Sequence, residues 1–259
     1  MEPDHLVNQA AKIGIPCIAI TDHDAMDGVE TAQTRGEQIG VRVLPGMEVS
    51  TYDYLHGKKV HLLCLLPKRP TPLLEFCRET LKRRTAATHE MIARLAKCYP
   101  IDVPTVRHYA PHSSSLYKQH IMLALMDMGY TLSVFGELYR TLFSPKNGWA
   151  LVETHLPDTR DAIRLIKQTG GAAILAHPGI YGNFDIVEEL CRLSLDGIEV
   201  FHPRQSTADT LRAREASERF GLIRTGGSDF HGMISSAVNT LGARQTEEDQ
   251  LTKLLERFG

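Results

Sequence analysis

Six short apolar runs punctuate the chain: Cys17–Ile20, Val41–Leu44, Val60–Leu66, Ala172–Leu175, Gly197–Phe201 and Leu222–Thr225. Runs of strand length with little polar alternation suit strands covered on both faces. The helical stretches or turn residues between most of them predict a parallel βα series. Met1–Lys12 predicts a helix, with Pro3 in the first turn, where its missing N–H costs nothing, and Leu6, Val7 and Ala10 on one apolar face. Asp158–Thr169 predicts another, stopped by Gly170 and Gly171 directly before the run Ala172–Leu175, and Glu247–Phe258 predicts a last one.

The rhythm breaks from about Lys68 to Gly148. There Leu73–Leu95 carries a long amphipathic pattern, and Leu116–Met128 and Leu132–Leu142 read as helices. The expected organisation is an α/β barrel domain over residues 1–67 and 149–259, interrupted by a helical insertion, or cap, over 68–148.

Polar residues able to bind metal follow most of the runs. Ile20 leads to Thr21, Asp22, His23 and Asp24; Leu44 leads to Glu48; Leu175 and Ala176 lead to His177; Thr225 leads to Asp229 and His231. His61 alone sits inside its own strand. In α/β barrels the C-terminal strand ends converge on one rim, so these residues are expected in one pocket. Taken singly, a histidine after a strand is more often structural, and Asp24 reads as an N-cap for the following helix. Together, imidazole nitrogens with a few carboxylate oxygens suit divalent manganese, zinc or iron. The set exceeds what one tetrahedral ion uses, so two or three metals are expected, with Glu48 or Asp229 bridging them. Such a cluster brings the pKa of bound water towards about 7 and neutralises phosphoryl oxygens, so hydrolysis of phosphate esters by a metal-bound hydroxide is the expected chemistry.

Composition narrows the partners. With 259 residues, 42% hydrophobic and 23% charged, one domain with an insertion is the natural reading. A net charge of −2 supplies no basic field for duplex DNA, which leaves a small phosphorylated substrate, a nucleotide or a short RNA end. Cys17, Cys64, Cys77, Cys98 and Cys191 are odd in number and never form a CxxC pair, so they read as buried thiols of a cytosolic protein. The N-terminus lacks an apolar signal core, and no stretch approaches the roughly 18 apolar residues of a membrane span; a cytoplasmic protein with no membrane partner is expected.

Five ordered segments carry a family resemblance: Ile20-Thr21-Asp22-His23-Asp24, Pro45-Gly46-Met47-Glu48-Val49-Ser50, Val60-His61-Leu62-Leu63, Leu175-Ala176-His177-Pro178-Gly179 and Gly227-Ser228-Asp229-Phe230-His231. Their order and spacing, from about Pro3 to Gly242, resemble the polymerase and histidinol phosphatase (PHP) superfamily, and in particular its stand-alone metal-dependent phosphoesterases. The resemblance implies a distorted (β/α)7 TIM-like barrel and a two- or three-metal site. His23, Glu48, His61, His177, Asp229 and His231 match its ligand positions, and Asp22 and Asp24 support them. His23, Glu48 and Asp229 are the expected catalytic residues.

The family's first motif, a His-x-His pair on strand one, is absent, which implies a barrel lacking its first strand and a weakly active form. Relatives of this kind act on nucleoside bisphosphates, short RNA or cyclic sugar phosphates. In Tyr117-Lys118-Gln119-His120-Ile121, Lys118 and His120 match a phosphate-gripping position of the family, the alternative being a cap and a polar helix face. Arg204, following the run Gly197–Phe201, either forks onto a phosphate or pairs with a surface carboxylate. Lys82, Arg83 and Arg84 read as a solvated helix face, and Tyr52, Tyr54 and Trp149 either stack on a base or fill a seam. Two rival readings stand beside the phosphoesterase: an amidohydrolase-type C–N hydrolase, and a truncated or catalytically weak metal-binding remnant.

Overall fold

The computed structural model describes residues 1–234 and 238–259. Its six strands, β1 (Cys17–Ile20), β2 (Arg42–Asp53), β3 (Lys58–Leu65), β4 (Ala172–Leu175), β5 (Gly197–Phe201) and β6 (Ile223–Gly226), are hydrogen-bonded to one another in chain order. They form a curled, half-barrel sheet in an α/β fold.

The sheet is mixed, which corrects the expectation of an all-parallel series. β1 pairs parallel with Arg42–Pro45 of β2, whereas β2 from Gly46 to Asp53 pairs antiparallel with β3. β3 also runs antiparallel to β4, while β4–β5 and β5–β6 are parallel. The cause is the connection: only Tyr54–Gly57 separates β2 from β3. A parallel crossover needs a dozen or more residues, so the chain must turn back on itself. Gly57, at φ 67°, supplies the left-handed residue of that turn. β2 also extends well beyond the apolar run Val41–Leu44, because the hairpin lends it ladder partners as far as Asp53.

Alternation along the hairpin separates two faces. Met47 and Val49 of β2 and Val60, Leu62 and Cys64 of β3 enter the main core, joined by Ala162, Ile163 and Ile166 and by Ile198 and Val200. Glu48 and Ser50 on β2, and His61 and Leu63 on β3, occupy the opposite face.

The helices before the hairpin are α1 (Pro3–Lys12) and α2 (Val29–Ile39). Val7, Ala10, Val29 and Ala32 from this pair close a second core over Ile20, Val41 and Val43. Next come α3 (Thr71–Leu95), α4 (Val103–His108), α5 (Lys118–Asp127) and α6 (Glu137–Phe143). α6 is shorter than the expected Leu132–Leu142 helix. Its N-cap is Gly136 in extended conformation, and Thr131 Oγ1 accepts the Ser133 N–H in a local turn ahead of it. α7 (Thr159–Gln168) begins at Asp158, whose side chain accepts the Arg160 N–H. It is followed by α8 (Pro178–Tyr181), α9 (Val187–Arg192), α10 (Thr207–Phe220) and α11 (Glu248–Phe258).

Two compact units result: Met1–Cys77 together with Leu156–Gly259, and Arg78–His155. The second buries Leu95, Leu116, Ile121, Met122, Leu125, Leu142 and Phe143. Among the described residues no helix is long and apolar enough to cross a membrane.

Candidate metal centre

The hairpin supplies the centre of the site. Ser50 lies opposite His61 in the antiparallel ladder, so Glu48 and His61 are diagonal neighbours on one face. Their side chains meet, with His61 Nδ1 2.6 Å from Glu48 Oε1. His61 sits within its strand because β3 is reversed: its N-terminal half, not its C-terminal end, lies level with the ends of the parallel strands.

His23 is brought in by backbone pairing beyond the end of β1. The Asp24 N–H donates to Glu48 O (2.9 Å) and the Glu48 N–H to Asp22 O (3.1 Å), leaving His23 Nδ1 3.8 Å from Glu48 Oε2. Asp24 is buried at φ 59°, and its Oδ1 accepts the Ser50 N–H at 2.8 Å. It therefore ties the loop after β1 to β2, which corrects its reading as an N-cap; Gly28 precedes α2.

From the other side of the sheet, His177 follows β4 and places Nε2 2.9 Å from Glu48 Oε1 and 3.3 Å from His61 Nδ1. Beyond β6, Asp229 and His231 share a turn in which His231 Nδ1 lies 2.9 Å from the Asp229 carbonyl oxygen. A carbonyl can only accept, so this contact puts the proton on Nδ1 and leaves Nε2 as the lone-pair nitrogen of the neutral ring. The rings of His23 and His231 lie 6.1 Å apart.

Charge follows this geometry. Burial raises the Glu48 carboxyl, but the His23 and His61 charges and the hydrogen bonds from His177 and His61 override it and hold its pKa well below the ordinary range. Burial depresses the His177 imidazole, yet the Glu48 hydrogen bond and charge, with Glu199 and Asp229 adding to them, hold it at about 9. Asp229 is lowered despite its burial, by His202 and His231 before other groups. Burial pushes Asp22 up.

A divalent cation fits these residues. One ligand atom from each of His23, Glu48 and His61 lies within 4.8 Å of the other two. Two imidazole nitrogens crowd the same Glu48 oxygen, and His177 Nδ1 is buried without a hydrogen-bond partner. Imidazoles gathered around a carboxylate that their charge and hydrogen bonds keep ionised, against the effect of burial, form a donor set suited to a divalent metal ion.

The remaining sequence candidates make contacts of their own. Lys118 opens α5 with Nζ 5.9 Å from the centre of the Tyr139 ring. His120 Nδ1 accepts the Tyr117 N–H at 3.2 Å, closing the cap of that helix, and burial followed by the Arg107 charge takes its pKa down to about 4. Both belong to the Arg78–His155 unit. Arg204 is exposed, and its backbone N–H donates to His202 Nδ1 (3.2 Å). That bond leaves the proton of a neutral His202 on Nε2, 3.6 Å from Asp229 Oδ2.

Three residues of the site were given no role in the sequence reading. Tyr181 packs edge-on against His61 at 5.2 Å, His202 packs against His177 at 5.4 Å, and Glu199 lies buried on β5. Glu199 did leave a signal, as a lone acid inside the apolar run Gly197–Phe201.

Comparison with known proteins finds relatives along most of this chain. A family model described as PHP domain matches residues 1–171. Phosphoribosyl 1,2-cyclic phosphate 1,2-diphosphodiesterase of Eggerthella lenta is 40% identical over 232 residues, covering 88% of this chain and 88% of that protein. The 3′,5′-nucleoside bisphosphate phosphatase of Chromobacterium violaceum is 27% identical over 243 residues, covering 89% and 82%. A crystal structure from Bifidobacterium adolescentis, assigned as a metal-dependent phosphoesterase, superposes with a TM-score of 0.91 at 27% identity, over 98% of this chain and 90% of the other.

Proposed function

Because this chain belongs to the PHP domain family, we propose that it is a metal-dependent phosphoesterase that hydrolyses a phosphate ester of a small sugar-phosphate or nucleotide-like substrate. The observation carrying this reading is the convergence of His23, His61 and His177 on the Glu48 carboxylate. Relatives named for a phosphoribosyl cyclic phosphate and a nucleoside bisphosphate supply the substrate class.

In this reading His23, Glu48, His61, His177, Asp229 and His231 hold two or three divalent ions of manganese, zinc or iron, on the rim of a distorted (β/α)7 barrel. When bound, such ions neutralise phosphoryl oxygens and acidify water, which is the chemistry ester hydrolysis needs. The protein's own part is to hold the donors in place. Glu48 stays anionic because His23 and His61 face it, so it offsets cationic charge and keeps the imidazoles converged. His231 presents Nε2 because its other nitrogen donates to a carbonyl.

Lys118, His120 and Arg204 bind the substrate's phosphates, and the helical segment 68–148 acts as the cap that selects among substrates. His120, neutral at pH 7 with Nδ1 occupied by the Tyr117 N–H, serves through an Nε2–H donor and not through charge.

The test is elemental analysis of the purified protein joined to phosphate release from a phosphoribosyl 1,2-cyclic phosphate and from adenosine 3′,5′-bisphosphate. Bound divalent metal and turnover of at least one substrate are expected. Protein that takes up no divalent ion and releases no phosphate from either refutes the proposal.

A further inference from the structure

β5 is the strand between β4 and β6 that contributes no candidate ligand, yet it carries an acid at its midpoint. Glu199 lies opposite Thr225 of β6 and is 5% exposed. Its Oε2 accepts the backbone N–H of His177 at 2.7 Å. Its Oε1 fills the space beside Gly227, where a Cβ added to the glycine would lie 2.7 Å from that oxygen and, among the described residues, would otherwise meet only the Glu199 Cδ, at 3.9 Å, within 4 Å. One carboxylate thus spans the loop after β4, which bears His177, and the loop after β6, which bears Asp229 and His231.

Both loops place a non-glycine residue in the left-handed region, His177 at φ 28° and Asp229 at φ 48°. Such backbone persists only where the surroundings over-determine it, and it concentrates where a site needs a side chain re-aimed. At His177 the Glu199 hydrogen bond is such a determinant. At the second loop, Gly227 carries no side chain because Glu199 already occupies that volume.

We infer that Glu199 is a positioning residue, whose single carboxylate sets the separation of His177 from the Asp229–His231 turn and so the metal affinity of the site. The inference rests on the proposed metal-binding role of those residues. It also assigns a purpose to the glycine of the Gly227-Ser228-Asp229 segment: closing that gap to a methyl group keeps the carboxylate seated.

A substitution cycle read by Mn²⁺ binding to the metal-free protein tests this, using titration calorimetry, with hydrogen exchange of the His177 segment measured before metal is added. Residues that orient metal ligands typically change affinity by about 10–100-fold when lost. Glu199→Ala is expected to weaken Mn²⁺ binding by about that factor and to speed exchange at His177. Glu199→Gln retains an oxygen that accepts the His177 N–H and is expected to restore most of the affinity. Gly227→Ala, which displaces the carboxylate from the other strand, is expected to weaken binding in the native background. It should add nothing to Glu199→Ala, because the atoms its methyl group would strike are then gone.

Should Glu199→Ala unfold the protein, Gly227→Ala and Glu199→Gln decide the matter by the same readouts. Native protein that binds Mn²⁺ while Gly227→Ala and Glu199→Ala bind it equally well overturns this inference alone, as does an additive effect in the double variant. Native protein that binds no Mn²⁺ overturns the metal reading of the site, and the inference with it.

Discussion

Asp53, the last residue of β2, is fully buried and joins three elements. Its Oδ1 accepts from Arg160 Nη1 (2.9 Å) and from the Leu55 N–H (3.1 Å), and its Oδ2 meets His56 Nδ1 at 2.5 Å. Arg160 in turn forks onto Glu189 through Nε (2.6 Å) and Nη2 (2.8 Å), so α7 and α9 are tied to the end of the hairpin through one guanidinium. Removing one partner of a buried ion pair costs about 3–5 kcal/mol, because the other charge is left uncompensated. Here Arg160 keeps Glu189, so Asp53→Ala should fall at the lower end, about 3 kcal/mol. For a chain of about this size, where 1 kcal/mol moves the midpoint by about 2–4 °C, the expected drop is about 6–12 °C.

The pH dependence has a definite sign. Burial raises the Asp53 carboxyl, but the Arg160 and His56 hydrogen bonds override it and lower its pKa below the ordinary value. A group lowered on folding stabilises fully above its unfolded pKa of about 3.9, and that stability is lost as pH falls through the folded value. Urea unfolding followed by circular dichroism at pH 7, 5, 4 and 3 should therefore show a constant gap between native and Asp53→Ala protein down to about pH 4, then a shrinking one. A variant within about 0.5 kcal/mol of native at pH 7 would refute the reasoning, since that is the range of featureless surface changes. A gap that stays constant to pH 3 would refute it equally.

Other consequences follow from the same geometry. Glu48→Gln keeps the shape of the side chain but removes the charge on which His61 and His177 converge, so metal content by mass spectrometry should fall and phosphate release drop by at least about 100-fold. Retained metal and rate would count against Glu48 as a ligand. Arg204→Ala should raise KM by about tenfold or more with little change in kcat, the pattern of a lost charge-assisted contact to a substrate phosphate; an unchanged KM would return Arg204 to the surface. Leu62→Ala, within the core between the hairpin and α7, should cost about 2–5 kcal/mol in urea unfolding while leaving metal binding intact.

Much of this molecule can be read locally. The apolar runs mark the strands, because a strand buried on both faces has few positions for polar groups. Pro3 near the start of α1, Asp158 at the cap of α7 and the Gly170–Gly171 stop are decided by backbone chemistry within a few residues. The strand-end histidines and acids stood out by residue type alone, and family membership followed from their order. The helix expected at Leu132–Leu142 shows the limit of such patterns: the apolar spacing runs on through Ser133 and Gly136, whereas the backbone satisfies itself in a turn there.

What the chain alone determined, then, is which residues are available: the apolar segments, the breaks between them, and His23, Glu48, His61, His177, Asp229 and His231 as a chemically coherent set. The tertiary structure decided how they meet. The reversal of β3 brings His61 onto the face of Glu48, backbone pairing across residues 22–24 and 48 delivers His23, and the parallel ladder β4–β5–β6 places Glu199 between two loops distant in sequence. The pairing of segments distant in sequence and the filling of one residue's space by another are long-range properties. They depend on which surfaces pack together, and no window of sequence contains both partners.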